Sequence, residues 1–183
     1  DGGATGRAIA PAGASTGSGE AVDRRDGGPA FGGYDVAGAV AAVNGEIADA
    51  LDGLDSQDQE TVDNALIRLD GTENKARLGG NAMIAVSMAV AHAHAAGLGV
   101  PLWKALAGER PVGLPLPEIQ LFGGGAHAAR RVDIQDFMVV AVGAADFAEA
   151  LDMTAEVYRA AGAILAEKDK LAGVADEGGY WPA

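Results

Sequence analysis

The sequence predicts an α+β domain followed by the incomplete start of a β/α (TIM-like) barrel, on three observations. Apolar residues recur at three- and four-residue steps through most of the first hundred positions, the period of an amphipathic helix. Glycine and proline then cluster between Gly108 and Pro117, as they do at domain boundaries. Beyond that break come two β-prone runs, a helical run and a further strand end, a succession that suits the opening of a barrel. The first domain is placed at residues 1–110 and the second at 114–183. A complete barrel takes ~250 residues, so residues 114–183 are expected to leave it unclosed, with unpaired strand edges.

In order along the chain, residues 6–10 read as the end of a strand and 11–33 as one long loop of Gly, Ser, Pro and Asp. Val36, Val40, Val43, Ile47 and Leu51 make an apolar stripe that predicts a helix over 35–51 with Asp35 as its N-cap. A second helix is predicted over 56–69, with Val62, Leu66 and Leu69 inward, ended by Asp70-Gly71-Thr72. Gly79-Gly80-Asn81 opens a third, over 82–96, which is apolar on nearly every side and is expected to be deeply buried. A short helix follows Pro101. Residues 118–122 and 132–142 read as strands. Asp146 with Glu149 three residues on is an N-capping pair for a helix with Phe147, Leu151, Thr154, Tyr158 and Leu165 along one side. Residues 174–177 read as another strand end.

The chain has 183 residues, 13 of them basic and 26 acidic, for a formal net charge of −13. That balance disfavours nucleic acid and anionic membranes, which need a cationic face. A small phosphorylated substrate needs only a locally positive site or a bound metal. With no cysteine, disulfides, thiolate nucleophiles and Cys-ligated zinc are excluded. No apolar run reaches the ~18 residues of a membrane span, and residues 1–6 lack the apolar core of a signal peptide. An opening Asp in place of Met suggests a chain already trimmed.

Four segments hold candidate chemistry. In Pro11-Ala12-Gly13-Ala14-Ser15-Thr16-Gly17, small residues allow close backbone approach to a ligand and the hydroxyls suit a hard cation. A plain linker has the same composition, and the Gly-Lys-Ser/Thr of a P-loop is missing. Phe122-Gly123-Gly124-Gly125-Ala126-His127-Ala128 puts His127 just after a strand, where barrel enzymes build their sites; a histidine satisfied within a loop fits as well. Gln135-Asp136-Phe137-Met138 sets a carboxylate in an apolar strand. If Ile134, Asp136 and Met138 share a face, that charge points into the barrel and needs a partner; otherwise it is a solvated strand end. Asp176-Glu177-Gly178-Gly179 sets two carboxylates at a strand end. Partial burial would let one hold a proton for acid–base work, and a solvated acidic turn is the alternative. His92 and His94 lie two apart on a helix and do not face one another, and Trp103 and Trp181 read as packing anchors.

Taken in order, these segments resemble the enolase family over essentially the whole chain. Gly13-Ala14-Ser15-Thr16-Gly17 with Glu20-Ala21 and Arg25-Asp26-Gly27 is similar to the family's mobile active-site loop. Asp70-Gly71-Thr72-Glu73-Asn74-Lys75 and Leu78-Gly79-Gly80-Asn81-Ala82 resemble its Asp-Gly-Thr-x-Asn-Lys and Leu-Gly-Ala-Asn-Ala signatures. Gly124-Gly125-Ala126-His127-Ala128, Gln135-Asp136-Phe137-Met138 and Asp176-Glu177-Gly178-Gly179 follow in register.

The resemblance implies a magnesium-dependent carbon–oxygen lyase that reversibly dehydrates 2-phosphoglycerate to phosphoenolpyruvate in glycolysis, with two Mg2+ per site. It implies Glu177 as the general acid, Asp136 as the second carboxylate, and His127 and Gln135 as substrate contacts. Ser15 matches the loop serine that closes over the substrate and ligates the second magnesium. The same resemblance implies a cytoplasmic homodimer acting on a small phosphorylated three-carbon acid. It places the lysine base, the three main carboxylate metal ligands and the phosphate-binding arginine further along the barrel, so this chain alone is expected to be inactive.

Three departures cluster on the acid side. Asp136 stands where the family has glutamate, Ala126 where it has serine, and Glu118-Ile119-Gln120-Leu121-Phe122 where it has an Asn-rich strand. A carboxylate drawn back by ~1 Å can cost ~10²-fold in rate. Two alternatives follow: an enolase-like enzyme with another phospho- or phosphono-enolpyruvate substrate, such as carboxyphosphonoenolpyruvate synthase, or a non-catalytic scaffold with the fold.

Overall fold

The protein is described by a computed structural model, which covers residues 3–13, 17–175 and 177–183, without the side chains of His127 and Pro182. The chain forms two compact units, Asp1–Pro111 and Val112–Ala183.

The first unit is built on helices α1 (Ala37–Ala42), α2 (Ala48–Leu51), α3 (Gln59–Asp70), α4 (Gly80–Leu98) and α5 (Leu102–Ala107). A π turn over Val43–Ile47 joins α1 to α2, where Gly45 leaves helical geometry at φ −115, ψ −105. The expected stripe is largely realised: Ile47 is buried and Val36, Val43 and Leu51 pack on the core, whereas Val40 is half exposed and Ala39 and Ala42 share the inner face. These residues pack with Val62 and Leu66 of α3, Leu78, and Ala82 and Met83 of α4.

The cap of α1 differs from expectation. Asp35 bonds the N–H of Val36, next to it, and the free amide of Gly38 is taken by Asp26 Oδ1 at 3.0 Å. A loop residue distant in sequence thus caps α1. For α3, Asp58 accepts from the Thr61 N–H at 3.0 Å, so the helix starts three residues after position 56.

Helix α4 corrects the expectation of deep burial. Only Gly80, Ala82, Met83 and Ala95 are buried along it, and Ile84 and Leu98 are more than half exposed. Gly80–Leu98 also has the length and mean hydropathy of a membrane span, 19 residues at 1.2, although interspersed Asn81, Ser87, His92 and His94 break the apolar run. Polar ties dock it within the unit: Ser87 Oγ donates to Asp63 at 2.7 Å, and Asn81 holds the Arg24 backbone.

Residues 6–10 form no strand among the described residues. They lie on α4 instead: a Cβ on Gly6 would fall 1.8 Å from the Ala89 carbonyl oxygen. Trp103 is 61% exposed and anchors no core in this unit.

The second unit is an open sheet and one helix, α6 (Phe147–Glu167). Strands β1 (Glu118–Gly123), β2 (Asp136–Val140), β3 (Leu171–Val174) and β4 (Tyr180–Pro182) lie in the order β2-β1-β4-β3. β1 and β2 are antiparallel, β1 and β4 parallel, and β3 and β4 an antiparallel hairpin. Two expected strands are revised. The run 132–142 is strand only from Asp136 to Val140, because residues 132–135 fold back onto the glycines after β1. The strand end at 174–177 stops at Val174, Glu177 falls in the hairpin turn, and β4 is an additional strand.

The N-terminus of α6 is capped as predicted, with Asp146 accepting from the Glu149 N–H at 2.9 Å and Glu149 accepting from the Ala145 N–H. Its buried positions are Ala150, Thr154 and Gly162. Phe147 and Leu151 of the predicted stripe are partly exposed, because the sheet meets α6 along its small-residue side.

Candidate active site

The glycine run after β1 is explained by close packing. Gly124 N–H donates to the Gln135 carbonyl at 2.6 Å and Gly125 N–H to the Val132 carbonyl at 2.7 Å. A Cβ on Gly124 would sit 1.9 Å from the Ile134 oxygen, so any side chain there would push the segment 132–135 away. This packing delivers Gln135 beside Gly125 and sets Asp136 at the head of β2 opposite Gly123. His127 lies in the short 3-10 turn Gly125–Ala128 that follows.

Asp136 is half-buried, and its carboxylate accepts a hydrogen bond from Gln120 Nε2. Ile134 precedes the strand and is 59% exposed, so it shares no strand face with Asp136. Gln120 is itself buried on β1, and its Oε1 accepts the N–H of Gly179 at 2.7 Å. One amide therefore joins the start of β2 to the turn that carries Glu177.

Tyr158 of α6 fixes the same turn from the other side. Its hydroxyl donates to the Gly178 carbonyl at 2.8 Å, and its ring stacks on Tyr180 at 4.3 Å. Burial, followed by the neighbouring Tyr180 phenol, pushes the Tyr158 hydroxyl above its usual value, which keeps it a donor. Ile119, Gln120, Thr154, Tyr158, Arg159 and Glu177 line a cleft of about 470 Å³. Glu177 is exposed.

The structure thus gathers Gln135, Asp136 and the Glu177 turn around β1. Ser15 lies outside the described residues, as do Ala14, Thr16 and Asp176. Gln120 and Tyr158 were not singled out from sequence. A glutamine in an apolar strand, bracketed by Ile119 and Leu121, was the available signal for the first. Tyr158 gave none beyond its helical stripe.

In the first unit, the segment after residue 20 is held by the Asn81 end of α4. Val22 N–H donates to the Asn74 carbonyl, and Gly80 N–H to that of Val22, both at 2.8 Å. The Asp-Gly-Thr signature proves structural: Asp70 is 2% exposed and accepts from the N–H groups of Thr72 and Leu78 at 2.9 and 2.8 Å. Among the described residues no three His, Asp or Glu side chains gather where they could hold a metal ion.

A helical unit followed by an open mixed sheet, with Asp136 and the Glu177 turn both tied to β1, suits an α+β domain joined to the start of a second, larger domain. Residues 1–106 match the family model described as "Enolase, N-terminal domain", and residues 111–183 match "Enolase, C-terminal TIM barrel domain". The chain belongs to the enolase family. The enolase of Rubrobacter xylanophilus is 51% identical over 181 residues, which cover 98% of this chain and 42% of that protein. The chain thus spans less than half the length of the curated relative it matches.

Proposed function

We propose that this chain is the N-terminal part of an enolase that reversibly dehydrates 2-phosphoglycerate to phosphoenolpyruvate in glycolysis. The observation that carries the reading is 51% identity to an enolase across both units. In this reading Glu177 gives its proton to the departing hydroxyl, and Asp136 holds the leaving group or the attacking water in line. His127 and Gln135 bind the substrate, and Ser15 closes over it.

Two Mg2+ are proposed from family membership, to stabilise the charge that builds on the substrate carboxylate. The described residues do not form a cage for them. A cytoplasmic homodimer, without nucleic-acid or membrane partners, belongs to the same proposal.

A second reading is favoured by Asp136 and Ala126, where the family has glutamate and serine: the same fold handling a different phospho- or phosphono-enolpyruvate. The test is a polypeptide of the relative's full length carrying residues 1–183, assayed with Mg2+ and 2-phosphoglycerate. Enol absorbance from phosphoenolpyruvate supports the first reading. Silence with that substrate, alongside turnover of a phosphonate analogue, supports the second.

A further inference from the structure

We propose that Gln120 is a positioning residue for the acid side of the site, holding the Asp136 carboxylate and the Glu177 turn in one fixed relation. The proposal rests on the enolase reading above. It begins from the cost of burying a primary amide: without partners for both ends, an apolar residue would serve the sheet better. Here both ends are used, and each is used on the candidate site. Nε2 donates to Asp136, and Oε1 accepts from Gly179 at 2.7 Å.

The surroundings are cleared for this side chain. A Cβ on Gly179 would meet Gln120 Oε1 at 2.6 Å and Cγ at 2.8 Å. Glycine at position 179 lets the amide reach the backbone of the turn. The lengths are matched too: Asp136 has a short side chain, and the long Gln120 supplies the reach between them. An N–H can only donate, so the Asp136 oxygen that meets Nε2 is held as an acceptor.

The experiment uses a polypeptide of the relative's full length carrying residues 1–183, with Mg2+ and 2-phosphoglycerate as the probe. Gln120→Glu keeps an oxygen for Gly179 and removes the donor to Asp136. The expected result is a fall in kcat of about 10²-fold, the scale of a ~1 Å misplacement, with KM within about threefold and the melting temperature near that of the parent. Gln120→Asn draws the amide back, and adding Asp136→Glu restores the combined reach. The double variant is expected to recover at least tenfold over Gln120→Asn alone. Should Gln120→Glu not fold, the Asn pair carries the test.

A folded Gln120→Glu with kcat within threefold of the parent overturns the proposal and leaves the enolase reading intact. Loss of activity only in proportion to loss of folded protein, or no rescue in the double variant, does the same. A parent without turnover overturns the enolase reading and the proposal with it.

Discussion

Asn81 holds both backbone polar groups of Arg24: its Oδ1 accepts the Arg24 N–H at 3.0 Å, and its Nδ2 donates to the Arg24 carbonyl at 3.2 Å. A side-chain amide used in this way imitates a neighbouring strand. It fixes the segment that follows the glycine-rich loop without a sheet. Asn81→Leu removes both bonds and is expected to cost about 1–3 kcal/mol, the range for part-buried groups left unpaired. Denaturant unfolding of the whole chain measures the loss, and faster hydrogen exchange at the Arg24 amide locates it.

Gly79 stands against the same segment. Its φ is +99, and a Cβ there would meet Arg24 Cβ at 2.5 Å. Gly53 has a similar φ of +77 with nothing within 4 Å. Gly53→Ala should therefore report backbone strain alone, about 1–2 kcal/mol. Gly79→Ala should exceed it by at least ~1 kcal/mol, the lower end of overpacking costs. Unfolding curves of the two variants side by side check the difference.

Asp70 makes the first unit sensitive to acid. Burial by itself would raise its carboxyl, but the Leu78 N–H, the hydroxyl and N–H of Thr72 and the Arg77 guanidinium outweigh burial, and the group lies below its usual 3.8. A carboxyl lowered on folding stabilises the folded state above the unfolded value, and that stability is lost as pH falls through the folded one. Stability of the parent should accordingly drop as pH falls below about 4. Asp70→Asn should be less stable at neutral pH by about 1–3 kcal/mol and should show a shallower acid dependence. Melting temperature against pH for both proteins is the measurement.

Tyr158→Phe deletes the donor to Gly178 and keeps the stack on Tyr180. An exchange-accessible turn at 177–179 and a loss of about 1 kcal/mol are expected, seen by amide exchange and chemical unfolding. In the parent, the raised phenol stabilises the fold below the unfolded tyrosine value, and that contribution fades as pH rises through the folded one. The turn should loosen in alkali in the parent more than in the variant.

Legibility in the sequence followed the range of the forces involved. The Asp146–Glu149 cap and the helices around Leu66 and Leu102 were readable, because caps and helical stripes are local signals. The burial of α4 was misjudged, because apolar composition does not say which neighbours cover a face. Strand 6–10 failed for the same reason: a strand needs a partner, and Gly6 lies on α4 instead. Motif order pointed to Asp136 and the Glu177 turn together, but not to the side chain that bonds both segments. A buried Gln120 bonded to residues 16 and 59 positions away leaves no periodic trace.

Replacement of Glu177 tests most directly whether this chain carries the acid side of an enolase. In a polypeptide of the relative's full length carrying residues 1–183, with Mg2+, the parent is expected to form phosphoenolpyruvate from 2-phosphoglycerate. Glu177→Gln is expected to lower kcat by about 10²–10⁴-fold, the contribution of a positioned general acid, with substrate affinity within about threefold by calorimetry. Turnover by Glu177→Gln at the parental rate would contradict that assignment.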